Sequence, residues 1–177
     1  MQRVPPAGFE PALKKRLEEL WGTPPNLYRA LANHPRLAAA WTEFSKTLRY
    51  DTRTPRALRE LVILRGAQLM RSEYEWAQHL KMARNAGVSE TQIQNLSSWK
   101  TSSHFDEREK AALAIADAVT QGAVSDAVYA EAMRHFDHHD YVELAAVAAF
   151  YAMVGRMLDA MGVQLEPDMQ DFSPKLS

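Results

Sequence analysis

The chain has 177 residues, of which 46% are hydrophobic and 24% charged, and its formal net charge is −1. These values are typical of one soluble domain that buries a sizeable core, and the nearly neutral charge argues against a nucleic-acid partner or a membrane surface, both of which need a basic field. The chain has no cysteine, which excludes disulfides, thiolate catalysis and zinc–sulfur sites.

Helical signals dominate the chain, and the alternation typical of strands is nearly absent, so the predicted fold class is all-α. An N-terminal arm and helix are predicted for residues 1–25, a helical domain for 26–166 and a flexible tail for 167–177. Caps, first-turn prolines and glycine stops set the helix ends. In chain order, the predicted helices cover residues 11–21, 26–32, 36–48, 55–70, 73–86, 89 onwards, 106–121, 125–135 and 140–161.

Four of these helix starts carry a capping-box pattern, in which a Ser or Asp is followed three residues later by Glu or Gln. They are Ser72…Glu75, Ser89…Gln92, Asp106…Glu109 and Asp140…Glu143.

Neither a secretory signal nor a membrane span is expected. The N-terminal stretch MQRVPPAGFEPALKKR lacks an apolar segment. The longest uncharged run, Leu144 to Gly155, is shorter than the roughly 20 residues that cross a bilayer. We therefore expect a cytoplasmic protein without a membrane partner. The same run needs cover on all sides, which favours a subunit interface.

Glu60 lies on an apolar face of its predicted helix, next to Ile63, Leu64 and Ala67 at helical spacing. A buried glutamate is costly unless it is paired, neutral or wet. It is therefore either a structural partner of an arginine such as Arg56 or Arg59, or part of a functional site.

Glu75 and His79 are four residues apart in the next predicted helix and share its apolar side with Met82. A histidine beside a carboxylate can act as a general acid or base. Glu75 has an alternative role as the capping-box partner of Ser72, and His79 has one as a satisfied core histidine.

The four residues Glu60, Ser72, Glu75 and His79 have the spacing E-x11-S-x2-E-x3-H. This resembles E-x11-C-x2-C-x3-H, the signature of the alkylhydroperoxidase D-like / carboxymuconolactone decarboxylase superfamily. The stretch RELVILRGAQLMRSEYEWAQHLKMARNAGVS is similar to that family's core helical pair, and EYEW resembles its cysteine-free branch. The later DYVELAAVAAFYAMVGRMLDAMGV is similar to its closing helix. The resemblance spans roughly Tyr28 to Val163.

The resemblance implies a helical bundle that assembles as a small symmetric homo-oligomer, such as a trimer or hexamer. In the family's thiol peroxidases two cysteines attack hydroperoxide while a glutamate and a histidine relay protons. Here Ser72 and Glu75 stand at the cysteine positions, and neither can replace a redox thiolate. The proton-handling residues Glu60 and His79 remain, and Glu75 joins them.

Several other residues are candidates for ligand binding. Ser72, Trp76, Tyr151 and Arg156 are predicted to contact a substrate. Arg156 could hold a substrate carboxylate or pair with Glu60 or Asp159. The run His135-Phe136-Asp137-His138-His139-Asp140 crosses a helix end, so convergence on a metal is not expected and Asp140 is expected to cap the last helix. No metal and no cofactor are predicted.

The sequence therefore predicts a cofactor-independent enzyme of the carboxymuconolactone decarboxylase type that acts on a small lactone or carboxylic acid. The predicted catalytic residues are His79 as acid and base, Glu60, which sets the protonation state of His79, and Glu75, which orients His79 or binds polar groups of the substrate. An isomerase, hydrolase or hydratase would use the same residues. Two alternatives are a peroxidase-related oxidoreductase without cysteine and a non-catalytic helical oligomer.

Overall fold

The computed structural model describes residues 1–167 and residue 169. Within this part of the chain there are α-helices, a short 3-10 helix and no strand, and the all-α fold class is confirmed. The helices are α1 (Pro11–Trp21), α2 (Asn26–Leu31), α3 (Pro35–Tyr50), α4 (Arg56–Met70), α5 (Glu73–Asn85), α6 (Glu90–Asn95), the 3-10 helix (Leu96–Ser98), α7 (Glu107–Gln121), α8 (Asp126–Ala132) and α9 (His138–Met161). Most of the predicted flexible tail, residue 168 and residues 170–177, lies outside the described residues.

The start of α9 differs from the prediction. The helix begins at His138, and the Asp137 carboxylate accepts the backbone N–H of Asp140 at 3.0 Å. Asp137 is therefore the capping side chain. The predicted cap, Asp140, lies in the first turn and pairs with Arg53 instead. The predicted boxes at Ser89 and Asp106 are both complete, with reciprocal side-chain and backbone bonds.

The chain divides into two compact units. The first comprises residues 1–52 together with the described residues from Met157 onwards, and within it α1 and α2 each pack against α3. Its N-terminal arm is held by two backbone hydrogen bonds, because the N–H groups of Arg3 and Val4 both donate to the Met161 carbonyl. Gly162 makes this possible, since a Cβ there would lie 2.4 Å from the Met1 carbonyl oxygen. The domain boundaries predicted from sequence stay predictions.

The second unit comprises residues 53–156 and is organised around α4. α4 packs against α5 and α7, and α7 packs against α8. Nine of the fifteen residues of α4 are buried, which is the pattern of a helix surrounded by protein on all sides. The buried core next to it is built from α4, α5, α7 and the segment between α5 and α7. Its members are Leu61, Leu64, Ala67, Trp76, Leu80, Ala83, Val88, Ile93, Leu96, Trp99, Phe105 and Leu113.

The turn between α4 and α5 is tight. Arg71 has a left-handed backbone conformation (φ 54°), and the N–H of Ser72 donates to the Ala67 carbonyl at 2.9 Å. This bond closes the C-terminal turn of α4, as in a Schellman-type helix end. α5 begins at the next residue, so residues near the end of α4 and the start of α5 lie close together.

Among the described residues, α9 is long and apolar enough to cross a membrane by length and composition alone. The sequence prediction that the run Leu144 to Gly155 is too short considers only its uncharged residues, whereas the helix has 24 residues. In its most apolar window, 56% of the residues are buried inside the protein. A mostly buried apolar helix is typical of the core of a soluble protein. Cytoplasmic location stays a prediction.

Candidate functional site

The structure brings Glu60, Glu75 and His79 together in the second unit. His79 Nδ1 lies 2.8 Å from Glu60 Oε2, which is a hydrogen-bonding distance, and His79 Nε2 lies 3.8 Å from Glu75 Oε2. The imidazole therefore lies between two carboxylates, one beside each ring nitrogen. The exposed fractions of the side chains are 0% for Glu60, 2% for His79 and 5% for Glu75. The catalytic role of these residues stays a prediction.

Two packed helices produce this arrangement. Glu60 lies in the second turn of α4, on a helix whose neighbouring residues Leu61, Val62 and Ile63 are all buried. The i, i+4 spacing of Glu75 and His79 places both on one face of α5. Because α4 packs directly against α5, the carboxylate of one helix faces the imidazole of the other.

Glu60 also forms an ion pair with the Arg56 guanidinium, one turn earlier in α4. Burial raises the pKa of Glu60, but His79 and Arg56 lower it more, so the pKa of Glu60 lies below its ordinary value of 4.5. An ionised Glu60 accepts the Nδ1–H of His79. This fixes the tautomer and leaves Nε2 as the nitrogen that can gain or lose a proton.

We expect this ion pair to make the free energy of unfolding depend on pH. Because the pKa of Glu60 is lower in the folded protein, its contribution is complete above about 4.5 and is lost as the pH falls through the folded-state value. Urea unfolding of wild type and Glu60→Gln should therefore show a stability difference at pH 7 that shrinks below pH 4.5. Other carboxylates titrate in both proteins and cancel. A difference that stays constant down to pH 3 would contradict the assignment.

The structure separates the two roles that the sequence leaves open for Glu75. The Ser72 hydroxyl accepts the N–H of Glu75 at 3.4 Å, so Ser72 caps α5. The reciprocal half of a capping box needs the Ser72 backbone N–H, which donates to Ala67 instead. Glu75 is therefore not a capping-box side chain, and its carboxylate is directed at His79.

Removal of the Ser72 hydroxyl, which caps α5, should lower the stability of the protein and leave its catalytic activity unchanged. We expect Ser72→Ala to lower the free energy of unfolding by about 1 kcal/mol, the usual cost of losing an N-cap side chain. Thermal melting measures this loss, and Ser72→Asp is a suitable control because aspartate also caps helices. An activity that disappears in fully folded Ser72→Ala would show that the hydroxyl takes part in the reaction.

The other predicted substrate contacts have different surroundings. The Tyr151 ring packs edge-on against the His79 ring, with 4.7 Å between centroids and an interplanar angle of 83°. Trp76 is buried in the apolar core of the second unit. Arg156 is exposed, and its guanidinium donates to the Thr120 carbonyl at 3.4 Å. Of the three, Tyr151 contacts the histidine directly.

The arginine that pairs with Glu60 is thus Arg56, while Asp159 pairs with Arg3. The sequence contained the signal for the first pair, because Arg56 and Glu60 are spaced i, i+4. It could not decide between that pair and one with Arg59 or Arg156, since the choice depends on side-chain direction and on packing.

Sequence reasoning did not predict a second buried ion pair next to the site. Arg59 donates to the Thr54 carbonyl and lies 3.8 Å from Glu143 Oε1. Glu143 also accepts the backbone N–H groups of Arg53 and Thr54, each at 2.8 Å. These bonds fix the segment that precedes α4 against the first turns of α9, and they hold the Arg59 side chain in place.

Asp137, His139 and Asp140 place possible metal-ligating atoms within 4.8 Å of one another. The prediction that this run does not converge is therefore wrong. The Arg53 guanidinium, however, binds both carboxylates, at 2.5 Å from Asp137 and 2.8 Å from Asp140. It lowers the pKa of Asp137 to about 2. The cluster is explained by this ion pair and by the cap of α9.

Two sequence comparisons are informative. The family model described as the carboxymuconolactone decarboxylase family matches residues 35–118, which include Glu60, Glu75 and His79. Uncharacterized protein YdfG of Bacillus subtilis (strain 168) is 29% identical over 110 residues, which cover 60% of this chain and 75% of that protein.

Solved structures share the fold at low identity. Debrominase Bmp8, both alone and as a Cys-to-Ala variant bound to 2,3,4-tribromopyrrole, has a TM-score of 0.81 at 22% identity, over 94% of this chain and 92% of that one. A peroxidase-related protein from Ralstonia eutropha JMP134, described as having an alkylhydroperoxidase AhpD core, also has a TM-score of 0.81, at 19% identity over 95% of this chain and 94% of that one. Residues 35–118 of this chain are thus similar to the carboxymuconolactone decarboxylase family, the chain shares its fold with a protein described as having an alkylhydroperoxidase AhpD core, and it carries no cysteine.

Proposed function

We propose that this protein is a cofactor-independent enzyme of the carboxymuconolactone decarboxylase type, acting on a small lactone that bears a carboxylate. The observation that supports the proposal best is the position of the His79 imidazole. Its Nδ1 atom lies 2.8 Å from Glu60 Oε2, and its Nε2 atom lies 3.8 Å from Glu75 Oε2. A histidine oriented by one carboxylate and faced by another can both donate and accept a proton at Nε2.

Decarboxylation of such a lactone breaks the bond between the ring carbon and the carboxylate and releases carbon dioxide. The electron pair passes into the ring as a dienolate, which then needs a proton on carbon. Protonated His79 supplies it from Nε2, and solvent returns a proton to the imidazole. Glu60 stabilises the imidazolium through the Nδ1–H bond, and Glu75 contributes negative charge that favours reprotonation. Isomerisation or hydrolysis of a lactone would use the same proton transfers.

A non-catalytic role is the second candidate, and the burial of the site favours it. With exposed fractions between 0% and 5%, Glu60, His79 and Glu75 resemble an ion-paired polar cluster in a core as much as an open active site. On this view the cluster specifies how α4 packs on α5 and performs no chemistry.

A screen of unsaturated lactone acids distinguishes the two. Carbon dioxide release and loss of ultraviolet absorbance would be followed with metal-free protein, without any added cofactor. The enzyme proposal expects turnover of at least one compound. The absence of turnover across the panel would favour the non-catalytic role.

Peroxidase-related chemistry gives a further expectation. We expect no hydroperoxide consumption with a thiol reductant, because the chain has no cysteine and a serine hydroxyl cannot replace a thiolate. The measurement is steady-state loss of an alkyl hydroperoxide in the presence of dithiothreitol, with and without protein. Consumption that depends on protein and is abolished by Ser72→Ala would contradict this.

We further propose that the protein forms a homo-oligomer, with the exposed stripe of α9 as the contact. Val142, Ala149 and Met153 recur at helical spacing and are exposed, Val142 at 65% and Met153 at 40%. An apolar stripe on a soluble protein is typical of a subunit interface. Sedimentation velocity should show an oligomer that Met153→Glu dissociates. A monomer at all concentrations would contradict the proposal.

A further inference from the structure

A cavity of about 190 Å³ lies in the first unit. It is bordered by the N-terminal arm, by α2 and by the segment that follows α9, and its polar lining residues are Gln2, Asn26, Arg29 and Gln164. The volume is below the roughly 300–1,000 Å³ of pockets that hold drug-sized molecules, so the cavity suits a small ligand. None of these residues takes part in the function proposed above.

Arg29 is the only charged side chain among the described lining residues, and it is half-buried. Within the described part of the chain its guanidinium forms no ion pair and no hydrogen bond, and it lies 5.7 Å from the centroid of the Phe9 ring. An aromatic ring attracts a positive charge but accepts no ordinary hydrogen bond. The N–H groups of the guanidinium are therefore available to an anion.

Three carboxamide side chains form the rest of the polar lining. The Asn26 NH₂ group donates to the Gln164 carbonyl at 3.1 Å. The NH₂ groups of Gln164 and Gln2 donate to the carbonyls of Gly162 and Val4, each at 3.0 Å. Because only the NH₂ end of an amide can donate to a carbonyl, these bonds fix the position of each side-chain oxygen. The three oxygens accept no hydrogen bond from the residues that the structure describes, so they can accept one from a ligand.

The cavity is formed before any ligand binds. The Ala7 N–H donates to the Arg29 carbonyl at 2.9 Å, and the Asn33 side chain donates to the Pro5 carbonyl at 2.8 Å, so the arm is bonded to α2 and to the residues after it. α2 is bonded in turn to the segment after α9 through the hydrogen bonds of Asn26. A lining that is already ordered lowers the entropic cost of binding.

The lining indicates the class of ligand. A guanidinium without an acidic partner favours an anion, and a carboxylate matches its forked N–H donors best. Neutral amide oxygens favour neutral N–H donors over an ammonium group, because a cation removed from water needs a negative partner. We propose that this cavity binds a small carboxylic acid that carries a neutral amide group at its other end. Arg29 binds the carboxylate, and the oxygens of Asn26, Gln164 and Gln2 accept from the amide NH₂.

Three compounds of nearly equal size and shape test both ends of the ligand. Succinamate carries a carboxylate and an amide. Levulinate has a methyl group in place of the amide NH₂, and succinamide has a second amide in place of the carboxylate. Each would be titrated into the full chain at constant ionic strength and followed by saturation-transfer NMR of the ligand. We expect levulinate to bind about 2- to 10-fold more weakly than succinamate, and succinamide about 10- to 100-fold more weakly, the scales of a neutral and a charge-assisted hydrogen bond.

Variants assign the binding to this cavity. Arg29→Gln should weaken succinamate binding about 10- to 100-fold, and Arg29→Lys, which keeps the charge without the fork, should give a smaller loss. Gln164→Glu keeps the shape of an exposed side chain and adds a negative charge to the lining, so it should weaken succinamate and spare succinamide. Arg36→Gln is the matched control, because that arginine is exposed on α3 and does not line the cavity. Circular dichroism checks that each variant is folded.

The absence of saturable succinamate binding up to roughly 100 mM, far above the Kd of a small ligand of ordinary efficiency, would overturn the proposal. Succinamate binding that is unchanged in both Arg29→Gln and Gln164→Glu would also overturn it, because the ligand would then lie elsewhere. Levulinate that binds as tightly as succinamate would contradict the role of the amide oxygens, and succinamide that does so would contradict the role of Arg29. The result does not depend on the enzyme function, since no step of the experiment measures turnover.

Discussion

Replacement of Glu75 by Gln is expected to leave the protein folded and to lower turnover by roughly 10²–10⁴-fold, the usual contribution of an acid–base group. Glutamine has nearly the same shape, and the Glu75 side chain makes no capping-box bond that would be lost, because the Ser72 N–H donates to Ala67. What the substitution removes is the negative charge 3.8 Å from His79 Nε2. The measurements are kcat on the lactone acid found by screening, and thermal melting.

Glu73→Gln is the matched control for this experiment. Glu73 lies in the same first turn of α5, where both acidic side chains interact favourably with the helix dipole, but it is exposed. Its substitution should therefore reproduce any dipole effect on stability and leave kcat unchanged. Equal losses of activity in Glu73→Gln and Glu75→Gln would show that the effect is not specific to the site.

The largest effect on stability is expected for Glu60→Ala, at about 3–5 kcal/mol, the scale for breaking a buried ion pair from one side. The substitution removes the partner of Arg56 and the hydrogen-bond acceptor of His79, and it leaves a cavity in a helix packed on all sides. Urea denaturation at pH 7 measures the loss.

The control is Glu43→Ala, which breaks an exposed pair with Arg16 and should cost no more than about 1 kcal/mol. Similar small losses in both variants would mean that Glu60 is not part of a buried ion pair. We expect Glu60→Ala to lower the free energy of unfolding much more than Glu43→Ala. The loss in Glu60→Gln should lie between that of Glu60→Ala and zero, because glutamine fills the space but carries no charge.

Local rules predicted most of the fold. Pro11 at a first helical position, the capping boxes at Ser89 and Asp106 and the glycine after α7 act within a few residues, so the sequence alone locates those helix ends. The start of α9 was missed because two aspartates, Asp137 and Asp140, both fit a cap. The choice depends on tertiary contacts with Arg53, which binds both carboxylates.

Local spacing likewise predicted part of the candidate site, and tertiary contacts determined the rest. Helical spacing alone puts Glu75 and His79 on one face, and the spacing from Glu60 carries the family resemblance. The identity of the arginine was not predictable, since Arg56, Arg59 and Arg156 differ in their tertiary surroundings rather than in their local sequence. The hydrogen-bond partner of the Ser72 N–H was not predictable from the sequence either. This N–H can close the C-terminal turn of α4 or complete the capping box of α5, and in the structure it donates to Ala67 in α4.

The most direct test of the acid–base site is the kcat of His79→Gln relative to wild type, measured as carbon dioxide release from the lactone acid identified by screening. Glutamine can keep a hydrogen bond to Glu60 but cannot donate or accept a proton at neutral pH, so folding should persist while proton transfer fails. A loss of roughly 10²–10⁴-fold in kcat with a thermal midpoint near that of wild type is the predicted result. Full activity in folded His79→Gln would contradict the account and leave the cluster a structural one.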